Sequence, residues 1–348
     1  MRVAVVTSDV PFVTGGHLTI ARCLKLALQE SGHEADIVLT PQNRFGHQLR
    51  AYMANRFYDL TEDGFGRKIQ QVISLRFPSF AVRHPSHVSW LNHRLREYYD
   101  LWDMLYSQLS WKGKIKETFR RSMIHKLDAH LLKHNVNKVF AQSQTIQERL
   151  LRWGKIPSKV LYPPPPQRAY YTEGYEDFIF AVSRLQKLKR LNLLVEAFKY
   201  VKNKILKAYI IGEGPEEQAL KNMIFDNNLE KRVILLGRTD EKTVLNHFAR
   251  CRAVFFAPLR EDYGFVTGEA FASRKAVITT KDSGGPAELV QDGSSGFIVS
   301  SDPHKIAEKF DSLAEDRSKA EKMGKHGFEF MSKITWEDTV HRLLLKQP

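Results

Sequence analysis

Four consecutive prolines, Pro163–Pro166, limit what this chain can fold into more than any other feature. Proline fixes φ and carries no N–H, so the run fits neither a helix interior nor a central strand. It reads as a stiff, extended connector and the best domain boundary in the sequence. At 348 residues the chain has the length of about two domains.

A β–loop–α rhythm runs on both sides of the prolines. Val3–Val6 is a β-branched run, followed by a loop that ends in Gly15-Gly16. Leu18, Ala21, Leu24 and Leu28 then recur at helical spacing, Gly32 caps the helix, and residues 34–39 form a second strand. Strands are expected at 72–75, 88–91 and 139–143 in the first half. In the second half they are expected at 178–182, 208–211, 233–236, 253–257 and 276–280, each followed by a polar or glycine-containing loop and a helix. This alternation predicts an α/β class with two open, parallel, doubly wound sheets. The dinucleotide fingerprint G-x-G-x-x-G is missing after the first strand, which disfavours a nicotinamide enzyme.

No apolar run reaches 18 residues, and the short N-terminal run reads as a strand rather than a leader. Two cysteines, Cys23 and Cys251, exclude a disulfide framework, so a cytoplasmic location is expected. The net charge of +14 is uneven. Residues 1–165 hold 24 Lys+Arg against 13 Asp+Glu, an excess of 11, while the remainder holds 29 against 26. That asymmetry points to an anionic partner for the first half. No motif that reads DNA or RNA is present, so nucleic acid is not the expected partner.

The stretch Pro258–Glu269 carries the clearest chemistry. A buried strand runs into a polar loop with Glu261, Asp262 and Gly264, and a helix starts near Glu269. Ligands of open α/β sheets sit at such strand ends. Ser183-Arg184-Leu-Gln-Lys-Leu-Lys189 is a basic loop after another strand. Its Arg184 and Lys189 are suited to a diphosphate.

These residues resemble glycosyltransferase family 4, the retaining enzymes of the GT-B fold. The resemblance rests on Glu261 and Glu269 within Glu-Asp-Tyr-Gly-Phe-Val-Thr-Gly-Glu-Ala, on Ser183-Arg184-Leu with Lys189, on Ile211-Gly-Glu-Gly-Pro215 and on Ser283-Gly-Gly-Pro-Ala-Glu288. It is looser in the first half, at Gly15-Gly16, His93 and Gln142-Ser143. Gly268 and Arg274-Lys275 depart from the family pattern, and neither removes a charge that the chemistry needs.

The resemblance implies two Rossmann-like domains facing a central cleft. An acceptor domain spans 1–166 and a nucleotide-sugar domain 167–330, with a last helix near 331–348 packing back on the first. It implies transfer of a hexosyl group from a UDP- or GDP-sugar to an acceptor hydroxyl of a glycan or lipid-linked acceptor, in cell-surface glycan, lipid or polysaccharide biosynthesis. Arg184 and Lys189 would neutralise the leaving diphosphate without a metal. Glu261 would bind the transferred sugar, and His93 the sugar or the attacking region. Glu269 would hold the ribose hydroxyls through a bidentate contact. The amides of Phe265, Val266 and Thr267 would cradle phosphate. Gly15 and Gly16 would let the backbone approach the donor, Gly212 and Gly214 are a weaker phosphate signal, and Arg238 lies where the base is expected. Ser283–Gly285 either meets the sugar or stabilises the loop. No cofactor beyond the donor is implied. A nucleotide-sugar epimerase on the same fold, or a non-catalytic protein binding anionic surfaces, are the alternatives.

Residues 111–138 form a long helical stretch with eight Lys+Arg and two acids. Trp111, Ile115, Phe119, Met123 and Leu127 fall on one stripe. Two readings stay open: a core-packed helix with a solvated basic face, or an interfacial element at the inner face of an anionic membrane.

Overall fold

The computed structural model describes residues 1–9, 15–42 and 45–345. Residues 10–14 of the expected first loop and residues 346–348 of the expected last helix lie outside the described residues. The chain separates into two compact units, Met1–Pro164 with Ile334–Pro348, and Pro165–Lys333. The first crossing falls inside the proline run.

The first unit is built on a six-stranded sheet of β1 (Arg2–Asp9), β2 (Glu34–Pro41), β3 (Gln71–Ser74), β4 (His87–Leu91), β5 (Lys138–Ala141) and β6 (Lys159–Val160). Its order is β2-β1-β3-β4-β5-β6, and every pairing is parallel. β3 and β4 are buried at every residue, as parallel strands covered on both faces must be. Helices α1 (Gly16–Glu30), α2 (Gln48–Arg56), α3 (Trp102–Ser107), α4 (Trp111–His134) and α5 (Gln144–Arg152) complete the continuous part of the unit. α1 buries Ile20, Ala21, Leu24, Ala27 and Leu28, and Gly32 follows it at φ +80°, the left-handed residue that lets a helix end.

α4 does not pack by the whole of its apolar stripe. Its buried side chains are Glu117, Ile124, Asp128, Leu131 and Leu132. Trp111, Ile115 and Phe119 instead face solvent, at 68%, 65% and 75% exposure. The core-packed reading holds for the second half of the helix, where Ile124, Leu131 and Leu132 enter the core and Leu127 of the stripe packs against it, and is corrected for Trp111, Ile115 and Phe119. The packed face also carries two acids, each met by tyrosine. Glu117 accepts from Tyr98 at 2.6 Å, and Asp128 accepts from Tyr99 at 2.7 Å and also from Tyr52.

The second unit holds β7 (Phe178–Val182), β8 (Lys207–Ile211), β9 (Val233–Gly237), β10 (Ala253–Phe255), β11 (Ala276–Thr280) and β12 (Gly296–Val299), in the all-parallel order β12-β11-β10-β7-β8-β9. Its helices are α6 (Leu191–Phe198), α7 (Glu217–Asp226), α8 (Glu241–Arg250), α9 (Phe265–Ala272), α10 (Gly285–Leu289), α11 (Pro303–Glu315) and α12 (Arg317–Met331). Leu194 and Phe198 of α6 pack with Ile306 and Phe310 of α11 over Ile179, Ile210 and Ile278 of the sheet, all nearly inaccessible.

The last helix, α13 (Trp336–Leu343), belongs to the first unit. There the Gln71 side chain of β3 donates to Leu343 O at 2.8 Å and accepts from Leu345 N at 2.9 Å. Trp336 meets Trp90 edge-on, with ring centroids 6.1 Å apart.

Strand order reverses once in each sheet, between β1 and β3 and between β7 and β10. Chain direction therefore diverges at these points and leaves a crevice at the carboxyl ends of the strands.

Candidate functional site

The loops after β7 and β10 flank the reversal in the second unit, and they carry the residues singled out by chemistry. Glycines bring the β7 loop into place. Ser183 N donates to Ile211 O and Leu185 N to Glu213 O, so this loop runs against the one after β8. A Cβ on Gly212 would lie 1.9 Å from Ser183 O, and one on Gly214 would lie 2.4 Å from Leu185 O. Only glycine permits this approach. Gly212 and Gly214 thus position the loop that bears Arg184. The Arg184 side chain is exposed.

Lys189 reaches the neighbouring loop, where its Nζ lies 2.8 Å from Glu261 Oε2. Leu259 N donates to Leu188 O at 2.7 Å, which ties the two loops at the backbone as well. Arg190, read from sequence only as one more basic residue, secures the arrangement. At φ +48° it forks onto Asp282 with two bonds of 2.8 Å and donates to Thr280 Oγ1, Ala257 O and Pro258 O. The guanidinium holds the Asp282 carboxyl at about 2, well below its ordinary value. No periodicity or motif separates Arg190 from Lys187 or Lys189, so the sequence carries no signal for this role.

The loop after β11 joins from the other side. Glu261 and Gly284 form a parallel bridge, with Glu261 N donating to Ser283 O and Gly285 N to Glu261 O. A Cβ on Gly284 would fall 2.4 Å from Glu261 O. Of the two roles left open for Ser283–Gly285, stabilising the Glu261 loop is the one these contacts perform. Gly264, at φ +80°, starts α9 without a side-chain cap. Thr267 N turns back to Gly264 O, while the first-turn amides of Phe265 and Val266 have no acceptor within the helix. That end of α9 has no acid in its first turn and is an anion-binding geometry.

Glu269 lies within α9 and is 7% exposed. Its Oε1 accepts from Arg168 Nη1 at 2.5 Å and from Tyr170 Oη at 3.2 Å. Burial pushes its carboxyl above the ordinary glutamate value, and Arg168 opposes that. The expected bidentate contact is narrowed, because Oε1 already takes two donors and leaves Oε2 as the open acceptor. Arg168 and Tyr170 were not singled out from sequence; their place just after the prolines is the only hint. Gly268 has Met331 and Pro165 at 3.5 and 3.7 Å from a built Cβ, so a leucine there would run into both.

The sequence model of the glycosyl transferases group 1 family matches residues 168–330. This stretch is a glycosyl transferases group 1 domain. An uncharacterized glycosyltransferase of Methanocaldococcus jannaschii is 28% identical over 207 residues, 59% of this chain and 58% of that protein. An N-acetylgalactosamine-N,N'-diacetylbacillosaminyl-diphospho-undecaprenol 4-alpha-N-acetylgalactosaminyltransferase of Campylobacter jejuni is 35% identical over 127 residues, 36% of this chain and 34% of that protein. The chain thus spans between a third and three fifths of the length of these curated relatives. Among solved structures, sucrose-phosphate synthase of Thermosynechococcus elongatus matches with a TM-score of 0.74 at 16% identity, over 98% of this chain and 96% of that one. HepE of Anabaena, in complex with UDP and glucose, matches at 0.67 and 18% identity over 98% of both chains. The fold is GT-B, two Rossmann-like α/β units, as the resemblance implied.

Within the group 1 domain, Arg238 follows β9, is 74% exposed at its side chain and bonds Glu213 at 3.3 Å. The other expected residues belong to the first unit. His93 follows β4, and its Nδ1 donates to Arg94 O at 2.6 Å. Burial, then the Arg76 charge, lower its imidazole to about 3, so the ring is neutral and Nε2 is an acceptor. Gly15 is the N-cap of α1 and Gly16 its first residue, at the first unit's own reversal. Gln142 bonds Trp90 O and Asn92, and Ser143 caps α5 through Ile146 N. Both have structural work in the first unit.

Proposed function

We propose that the chain is a retaining glycosyltransferase that moves a hexosyl group from a UDP- or GDP-sugar to an acceptor hydroxyl in glycan, lipid or polysaccharide biosynthesis. One observation carries the reading. Arg184, Lys189 and Glu261 stand on the two loops that flank the strand reversal of a group 1 domain, and α9, which follows the second loop, carries the open helix end and Glu269. A cationic fork, a point charge and two helix amides answer the diphosphate. Negative charge grows on that group as it leaves, so donors aimed at it contribute most to lowering the barrier. Their joint charge lets the diphosphate leave without a metal. Glu261 accepts from the sugar's hydroxyls, and Glu269 accepts from the ribose through Oε2. Arg238 and the Gly237 backbone meet the base.

In a same-face displacement the bond from the anomeric carbon to the leaving oxygen breaks. The acceptor oxygen bonds to that carbon from the same side, and its proton passes to the leaving phosphate. His93 Nε2, in the first unit, accepts a hydrogen bond from a hydroxyl of the acceptor. The test is turnover of a panel of UDP- and GDP-sugars in EDTA, with release of the nucleoside diphosphate measured and the product anomer read by NMR. No turnover with any donor, or an inverted product, counts against it.

A second reading concerns place. α4 exposes Trp111, Ile115 and Phe119 among lysines, while both of its acids are turned inward onto tyrosines. An apolar stripe flanked by uncompensated positive charge suits an anionic bilayer surface. It supports peripheral attachment at the inner face of a membrane. Sedimentation with phosphatidylglycerol vesicles should fall with salt and in Trp111→Glu; binding indifferent to lipid charge and salt sinks the idea.

A further inference from the structure

A cavity of about 270 Å³ opens in the first unit beside α2 and α4, lined by His47, Gln48, Arg50 and Arg120, with Met123 and Ile124 as its apolar part. Gln48 is 3% exposed, yet its side-chain nitrogen is buried without a hydrogen-bond partner among the described residues. Buried donors in native proteins find acceptors, and one left without costs stability. Gln48 is also the first residue of α2. Its N-cap, His47, supplies no side-chain acceptor, and the first turn has no acid. The positive end of the helix dipole is therefore uncompensated at the place where Gln48 lacks a partner.

The charged groups here agree. Arg50 is exposed and has no ionic partner among the described residues. Arg120 donates to Glu117 at 2.8 Å and also hydrogen-bonds Tyr98, two contacts on a fork that carries five N–H groups. Among the described residues no carboxylate lines the cavity. An amide nitrogen, two guanidinium groups and helix N–H groups only donate, so the matching group only accepts and is negative. The volume lies below the ~300–1,000 Å³ usual for whole small-molecule ligands and suits a headgroup.

We propose that this cavity binds a phosphoryl group, a phosphate mono- or diester borne by a lipid headgroup or by a soluble molecule. The site lies wholly within the first unit and does not depend on sugar transfer by the second.

The test is isothermal titration calorimetry on the full chain carrying Arg184→Ala, which silences the phosphate contact proposed in the second unit. The probes are inorganic phosphate and dihexanoyl phosphatidic acid below its micelle concentration. Saturable binding is expected, weakened about tenfold or more by Arg50→Glu and by Gln48→Met. The thermal midpoint of Gln48→Met should stay level or rise, because an unmet donor is removed. A structural amide would instead lose stability. Tighter binding of phosphatidic acid identifies a lipid source; equal binding identifies a soluble ester; both uphold the site. Absence of saturable binding, or binding that neither substitution changes, overturns it. UDP titrated into the chain with Arg184 intact, with and without Gln48→Met, reports the second unit separately and should not respond.

Discussion

Lys189 Nζ and Glu261 Oε2 sit 2.8 Å apart, each side chain less than a fifth exposed, and join the two loops that flank the strand reversal of the group 1 domain. A bound diphosphate must therefore share a lysine that already serves a carboxylate. Lys189 is both a part of the loop's architecture and a candidate ligand.

That double duty separates Lys189 from Arg184. Lys189→Ala takes the lysine charge away from a partly buried carboxylate, so it should cost about 1–3 kcal/mol of stability, part of it recovered in Lys189→Ala/Glu261→Gln. Arg184→Ala should change stability by less than about 0.5 kcal/mol and weaken nucleoside diphosphate binding about tenfold or more. Urea unfolding with calorimetric titration of UDP and GDP distinguishes the two. Equal effects of both substitutions on stability would contradict the assignment.

Glu269 gives the ligand affinity a pH dependence. Burial raises its carboxyl above 4.5, and only the ionised form is a full acceptor for ribose. Affinity for UDP or GDP should fall as pH is lowered from neutrality toward 4.5, beginning above that value. Glu269→Gln should bind more weakly at neutral pH and lose the slope. A wild-type affinity flat across this range would remove Glu269 from the ribose.

Asp128 makes a corresponding statement about stability. Buried between Tyr52 and Tyr99, its carboxyl is raised from 3.8 to about 6, chiefly by desolvation. The folded state then holds a proton that the unfolded state has released. Stability from this group falls as pH rises from 3.8 to about 6, and above that the cost is fully present. Asp128→Asn should flatten this part of the stability profile, measured by urea unfolding at a series of pH values. An unchanged slope would mean that the group titrates normally in the fold.

Gly212 tests the clearance that holds the Arg184 loop. A methyl group would lie 1.9 Å from Ser183 O, so Gly212→Ala should cost more than about 2 kcal/mol and weaken nucleotide binding as well. Gly237→Ala is the control: its φ is +68° but nothing lies near a built Cβ, so only the left-handed backbone term of about 1–2 kcal/mol applies. Similar losses from both would refute the close-approach explanation.

Much of this was legible in the sequence because the signals are local. Strand runs and helix spacing place most of the elements within a few residues, although α2 and β6 were not read, and the proline run contains the first crossing between the units. Glu261, Arg184 and Lys189 follow strand ends, and Glu269 lies in the helix after one of them, where chain order alone brings them near one reversal. Arg190, Arg168 and Tyr170 were not legible, since their partners lie 67 to 101 residues away along the chain. In α4 only the second half of the stripe's expected packing is found, for a related reason. Helical spacing marks an apolar stripe but not which face meets the core. Tyr52, Tyr98 and Tyr99 make the acid-bearing face the buried one.

The chain passes between its units twice, at Pro164–Pro165 and at Lys333–Ile334. The second unit is one uninterrupted cassette, whereas the first is completed by α13, which meets Gln71, Trp90 and helix α1. On the ribosome the usual order of completion is thereby inverted. The later unit can finish folding while the earlier one still waits for its final helix to emerge. The same layout makes the second unit the natural piece to exchange between relatives, cut at the two crossings, while the first cannot be lifted out without a new covalent join.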